Sequence, residues 1–260
     1  MQLSIYQVDA FANAVFQGNP AAVVPLESWL PDETLQNIAT ENNLSETAYF
    51  VPDGENYHLR WFTPSTEVRL CGHATLASAH VLFAHLGYAK EHINFNTLGG
   101  ELSVRKEADQ YVMDFPTDEP QPFHVLKSLE HILGIQILEM VKGTDDYLAL
   151  IDSEASLMAL QPNFRLLSDL KTRGLIVTAP GTSTDIASRC FFPNFGIDED
   201  PVTGSAHTLL TPYWSKKLGK TSISAIQGGV RKGQLHCTLK GDRVELMGKA
   251  QTYLQGTIWI

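Results

Sequence analysis

Glu46 is the acid whose setting points most directly to chemistry. In Leu44-Ser45-Glu46-Thr47-Ala48-Tyr49-Phe50 alternate residues of a strand share one face, which puts Glu46 in line with Leu44, Ala48 and Phe50. An acid on an apolar face is a candidate general acid/base, because burial moves a carboxyl toward neutrality. Two plainer readings stand beside it: a buried ion pair with Arg60 or Arg69, or a face turned outward by a bulge. His73, between Gly72 and Ala74, has the chemistry to donate a hydrogen bond or shuttle a proton near pH 7. Asp200, in Glu199-Asp200-Pro201, either orients a ligand amine or hydroxyl or complements a helix dipole.

Two helix starts accompany these residues. Cys71-Gly72-His73-Ala74-Thr75 and Val202-Thr203-Gly204-Ser205-Ala206 each place a glycine at the helix start and no acid in the first turn. Free amides and the positive dipole end suit a small anion, most simply a carboxylate, and glycine lets it approach the backbone. Gly72, Gly204 and Ser205 are therefore the expected substrate-binding positions. Solvent-wetted helix ends are the plain alternative, and the recurrence of the pattern weighs against it.

The elements that position these residues are built twice. Arg60-Trp61-Phe62-Thr63-Pro64 recurs as Arg189-Cys190-Phe191-Phe192-Pro193 at an offset of 129. Glu67 and Leu70-Cys71-Gly72-His73-Ala74 recur as Glu199 and Val202-Thr203-Gly204-Ser205-Ala206 at 132. Offsets near half of 260 residues imply two related halves. At 129 residues Glu46 falls on Leu175, so only the first half carries the acid. The paired Glu67 and Glu199 read as parts of a shared bonded loop. The proline-rich run Phe115 to Pro122 marks the junction, giving halves of 1–116 and 117–260.

β-branched and aromatic runs predict strands at Leu3–Val8, Ala21–Val24, Thr47–Val51, Tyr57–Phe62 and Tyr111–Phe115. Their counterparts are Asp146–Ile151, Gly174–Thr178, Ile186–Phe192, Gln234–Leu239 and Val244–Gly248. A helix is expected over Asp32–Glu41, and the two longest over His73–Leu86, closed by Gly87, and from Ser205 to about Gly219, with Pro212 inside. Small residues on the first of these, Ala74, Ala77, Ser78, Ala79 and Ala84, let a curved sheet close around it. The fold class is α+β: two pseudo-symmetric domains, each a mostly antiparallel sheet wrapped around a central helix.

Composition bounds the rest. A net charge of −10 argues against a general nucleic-acid binder or an anionic-membrane binder. No run approaches the ~20 apolar residues of a membrane span, and no secretory signal is visible. Three cysteines without a CxxC pair fit a cytoplasmic protein with reduced thiols. GxGxxG, Walker A and GxSxG patterns are missing, and His80 and His85 are not spaced as a helical zinc pair, so no cofactor or metal is expected.

Taken together, Gln7-Val8-Asp9-Ala10-Phe11, Gly18-Asn19-Pro20-Ala21-Ala22-Val23, Leu44-Ser45-Glu46-Thr47-Ala48, Phe62-Thr63-Pro64, Cys71-Gly72-His73-Ala74-Thr75 and Asp200-Pro201-Val202-Thr203-Gly204-Ser205-Ala206 resemble the PhzF-like family of phenazine biosynthesis, from the N-terminus to about residue 210. The resemblance implies the diaminopimelate-epimerase-like fold, an active site between two domains, a homodimer and no cofactor. It also implies an isomerase in which a glutamate moves a proton within its substrate. Glu46 matches that glutamate, and His73, Asp200 and Ser205 match the family's other site residues. The related epimerases use two opposed thiols, one before each helix glycine. Here Cys71 is matched by Thr203, whose hydroxyl is no substitute for a thiol base. The expected activity is therefore cofactor-independent proton transfer on a small carboxylate-bearing molecule. An epimerase or racemase using Glu46 with Asp200 or Cys71, and a non-catalytic small-acid binder, remain the alternatives.

Overall fold

Central strands of this chain are apolar on both faces because a helix covers each side. The computed structural model describes all residues from 1 to 260 and divides them into two units, Met1–Asp114 with Met247–Ile260, and Phe115–Leu246. The first unit holds β1 (Gln2–Ala10), β2 (Asn19–Pro25), α1 (Asp32–Asn42), β3 (Glu46–Asp53), β4 (Asn56–Phe62) and β5 (Glu67–Val68). It continues with α2 (Gly72–Ala84), β6 (His92–Thr97), β7 (Gly100–Glu107) and β8 (Gln110–Pro116).

In β2, Ala22 and Val24 pack with Tyr49 and Val51 of β3 against Leu35, Ile38 and Ala39 of α1. The alternate residues face the other way, where α2 packs on β1, β2 and β3. Helix α2 is buried from His73 to Ala79, so it is the core of its unit and its run of small residues has the expected use. Ala84 is the exception, exposed in the last turn. The helix also stops two residues short of the predicted Leu86. There Leu86 N–H turns back to Val81 O at 3.1 Å, and Gly87 follows in the left-handed region at φ 68°.

The second unit begins with β9 (Gln121–Phe123), α3 (Lys127–Leu133), β10 (Glu139–Lys142) and β11 (Asp146–Leu150). Next come α4 (Glu154–Ala159), α5 (Phe164–Leu167), β12 (Gly174–Pro180), β13 (Ile186–Phe192) and β14 (Ile197–Asp200). Helix α6 (Gly204–Leu218), β15 (Ser222–Gln227), β16 (Gly233–Lys240) and β17 (Arg243–Gly248) follow, and β18 (Ala250–Trp259) is the last strand. Pro212 inside α6 has no N–H for the carbonyl of Thr208, and Asp118 N–H takes that carbonyl at 3.1 Å.

Pairing repeats in the same series. In the first unit β1/β2 are antiparallel, β2/β3 parallel, β3/β4 and β4/β5 antiparallel, β4/β6 parallel and β6/β7 antiparallel. In the second, β10/β11, β11/β12, β12/β13, β13/β14, β13/β15 and β15/β16 run through the same sequence of senses. The closing strands trade places. β18 pairs antiparallel with β1 along its length, and β9 pairs antiparallel with β10. The last strand therefore belongs to the first unit, whereas the division at 116/117 had kept it in the second. Its alternating, half-polar residues carry no mark of which edge they join.

Candidate active site

Gly72 and Gly204 are the first residues of α2 and α6, and neither helix has an acid in its first turn. The residue before each glycine is tied down in the same way. Thr75 Oγ1 donates to Cys71 O at 2.6 Å, and His207 Nδ1 donates to Thr203 O at 3.0 Å. Burial lowers the pKa of His207 to about 4, so the ring is neutral and serves as a fixed cap.

At the start of α2 the structure brings Glu46 and His73 together. Glu46 is the first residue of β3, and its Oε2 lies 3.0 Å from His73 Nε2, with the side chains 12% and 5% exposed. The contact is close but off the axis of a hydrogen bond. Both buried atoms therefore keep hydrogen-bonding capacity that no protein group uses. On the other side of the ring, the Asn19 amide is 3.2 Å from Nδ1 and Cys71 Sγ is 3.6 Å from it. An amide can turn either its NH2 or its carbonyl toward Nδ1, so Asn19 serves the ring neutral or charged.

Electrostatics select the charged form. Burial opposes a charge on His73, but the neighbouring Cys71 and Glu46 outweigh it and raise the ring well above its ordinary value. Cys71 is itself pushed up to about 11, by burial first and then by Glu46. Glu46 acts in the same direction on both neighbours, favouring a proton on the thiol and on the ring. Glu46, Cys71 and His73 also place three potential ligand atoms within 4.8 Å of one another. A cation there would have to displace the protons of both the thiol and the ring.

Arg60 is not the partner of Glu46. Its Nε and Nη2 bind the two carboxylate oxygens of Glu67, each at 2.7 Å, and Nη1 reaches Asp32 at 2.9 Å. The second half repeats the fork: Arg189 Nε and Nη2 bind Glu199 at 2.8 and 2.7 Å. Each guanidinium also lies over a phenyl ring, Phe62 at 5.1 Å and Phe191 at 5.2 Å. The repeated glutamates are thus the fasteners of a shared loop, as their spacing predicts.

In the second unit Asp200 is buried at the end of β14 and accepts from Thr203 Oγ1 at 2.5 Å. Gln227, fully buried, donates to Asp200 O and to Thr203 Oγ1 and accepts from Thr203 N–H, each at 3.0 Å. Thr203, at the place of Cys71, is therefore a tethered hydroxyl. Ser205 is half-buried in the first turn of α6 and accepts from Arg173 Nη2 at 3.1 Å.

Strand register corrects the twin of Glu46. Tyr49 pairs with Arg60 and Val177 with Arg189, so Glu46 corresponds to Gly174 and not to Leu175. The second hairpin carries one more residue between equivalent pairs, which the constant offset concealed. Sequence reasoning left Asn19, Gln227, Asp146 and Arg173 without roles. Asn19 stood inside a quoted motif, and Arg173 beside the twin of Glu46; only the fold gives them partners.

The family model described as phenazine biosynthesis-like protein matches residues 8–256. An uncharacterized isomerase of Pseudomonas aeruginosa is 55% identical over 258 residues, 99% of each chain. A crystal structure of a PhzF-family phenazine biosynthesis protein from Enterococcus faecalis superposes with a TM-score of 0.98 at 46% identity, covering 100% of both chains. A hydroxyproline epimerase from Agrobacterium vitis shares the fold at a TM-score of 0.64 and 10% identity, over 99% of this chain and 91% of that one. No helix here is long and apolar enough to cross a membrane. With a duplicated α+β fold and relatives matched along almost its whole length, the chain belongs to the phenazine biosynthesis-like (PhzF) family and is an isomerase.

Proposed function

We propose that this isomerase works by cofactor-independent proton transfer, with Glu46 as the single general acid/base acting on a small carboxylate-bearing substrate. One observation carries the reading: the buried Glu46 carboxylate lies 3.0 Å from His73, and the facing atoms are unsatisfied within the protein. As a carboxylate, Glu46 takes a proton from a substrate carbon and becomes the neutral acid. The electron pair left behind delocalises into the substrate's π-system, where the His73 imidazolium stabilises the developing negative charge. Glu46 then delivers a proton, exchanged with solvent while the carboxyl holds it, to a different carbon, so the double bond shifts and the enzyme ends unchanged. Asp200, Gly72, Gly204 and Ser205 are taken as the groups that bind and orient the substrate's polar atoms.

A two-thiol racemisation gains no support, because Thr203 stands where the second thiol is needed and its hydroxyl is committed to Asp200. The reading extends to a cytoplasmic homodimer, testable by light scattering on the purified protein and by cell fractionation. Buried, unpaired Cys71, Cys190 and Cys237 suit a reducing compartment.

Proton NMR in D₂O tests the mechanism, using dihydro-hydroxyanthranilate and a panel of small unsaturated amino and hydroxy acids. Deuterium entering one position as the double bond moves, in wild type but not in Glu46→Gln, is the expected result. Exchange that survives the substitution would remove Glu46 from the role and turn attention to Cys71 or Asp200. Exchange with inversion at a single carbon would mean an epimerase. Saturable binding with no exchange would mean a binder.

A further inference from the structure

The place that holds acid–base chemistry in the first unit is occupied in the second by a cation. Glu46 begins β3, next to the start of α2; its register twin Gly174 begins β12, next to the start of α6. No acid fits at Gly174, because a Cβ there would lie 2.2 Å from the ring of Phe192. The guanidinium of the preceding residue, Arg173, lies over that ring at 5.5 Å and reaches Ser205 Oγ at 3.1 Å. Ser205 is the repeat counterpart of His73.

Arg173 is aimed by its partner. Its Nε donates to Asp146 Oδ1 at 2.9 Å and its Nη2 to Asp146 Oδ2, and Asp146 is 3% exposed. The Arg173 backbone N–H also binds Asp145 O at 2.9 Å, so the chain on both sides of the pair is fixed. This leaves Nη1 with no partner in the protein, on a side chain one-third exposed. Because Ser205 Oγ accepts from Arg173, its own proton is free to be donated outward. A guanidinium N–H and a hydroxyl therefore stand side by side as two donors, at the first turn of a helix with no acid in it.

We propose that Arg173 and Ser205 form a seat for a carboxylate, with Asp146 as the positioning residue that points the guanidinium. The seat takes one carboxylate oxygen on Arg173 Nη1 and the other on Ser205 Oγ. It rests on the isomerase reading only in taking the seat's ligand to be that enzyme's own substrate, and it makes that substrate an obligate anion at this end. Duplication has then divided the labour: one half kept the proton carrier, the other became the charge reader.

The test is a ¹⁵N–¹H NMR titration of the full chain with benzoate and succinate against benzamide and succinamide. Saturable shifts at the amides of 204–206 and at Arg173 Nε–H with the acids, and none with the amides, are expected. Arg173→Met should weaken binding about tenfold or more, and Arg173→Lys less. If Arg173→Met fails to fold around the stranded Asp146, the double variant with Asp146→Asn removes both charges and should show the same loss. Wild type silent to every acid, or acids bound equally by the Arg173 variants, would overturn the seat. Carboxylate binding at α6 in the absence of any D₂O exchange would sink the isomerase mechanism and leave the seat standing. Exchange whose KM is indifferent to Arg173→Met would do the reverse.

Discussion

His207 caps the carbonyl of Thr203 from within α6, at the position where Thr75 caps Cys71 in α2. Each half adds a side-chain donor to an N-cap carbonyl that already accepts a backbone N–H, a hydroxyl in one case and an imidazole in the other. The choice has a consequence for acid stability. A His207 pKa lowered to about 4 by burial lies below the unfolded value, so between these two the unfolded chain binds more protons. The contribution is fully present above about pH 6.5 and is lost as pH falls toward 4. His207→Thr, which copies the first half, should lower the unfolding midpoint at pH 7 through the void it leaves. Its loss of stability from pH 6.5 to 4 should be shallower than that of wild type; an identical slope would show that His207 is not the titrating group.

The opposite sign applies to His73. Its pKa is raised, so the stability it contributes is present below the unfolded value and is lost as pH rises through the folded one. In wild type the His73 ring signals should remain those of an imidazolium through neutral pH. Glu46→Gln removes the anion that keeps the proton there, and the ring should then titrate at lower pH. A His73 titration unmoved by Glu46→Gln would mean that the 3.0 Å contact carries no electrostatic coupling.

Arg189 and Arg60 make the same fork in different surroundings. Arg189 is 8% exposed and also donates from Nη1 to the carbonyls of Leu157 and Leu160, at 3.1 and 2.8 Å. Arg60 is 14% exposed, and its extra partner Asp32 stands at 76% exposure in solvent. Arg189→Met should cost about 3–5 kcal/mol, the usual penalty for breaking a buried pair. Arg60→Met should cost clearly less, because a solvent-exposed partner adds little. Denaturant midpoints for the two variants decide it, and equal losses would count against the assignment.

Gly174 is required by packing. With Phe192 ring carbons 2.2 and 2.3 Å from any Cβ, Gly174→Ala should destabilise the chain by about 1–3 kcal/mol through overpacking. Phe192→Leu should recover part of that loss in the double variant, although alone it destabilises. A double variant that merely adds the two losses would show that the ring is not the obstacle.

Much of this was legible in residues whose neighbours in sequence are also their neighbours in space. Strand β13 ends where its aromatic run ends, and α6 stops at a left-handed Gly219 as its composition implies. Both helix glycines and the repeated arginines and glutamates were visible because the repeat displays them twice, and Glu46 because it is an acid on an apolar strand face. What escaped depends on contacts distant in sequence. Asn19 meets His73 and Gln227 meets Asp200 only after strands have paired, and an amide has no periodicity to betray it. The polar strand β14 is held by its neighbour β13, and its own propensity gives no sign of it.

The trade of closing strands fixes the order in which the molecule can be made. Strand β1 is the first strand of the sequence and β18 the last, yet Ala10 pairs with Ala250 and Gln2 with Trp259. Until β18 is in place, one edge of β1 has no partner, whereas every strand of the second unit precedes β18 in the sequence. Domains usually mature from the N-terminus onward during synthesis. Here the unit that carries Glu46 and His73 is closed by the last strand of the chain, so its sheet is the later of the two to be completed.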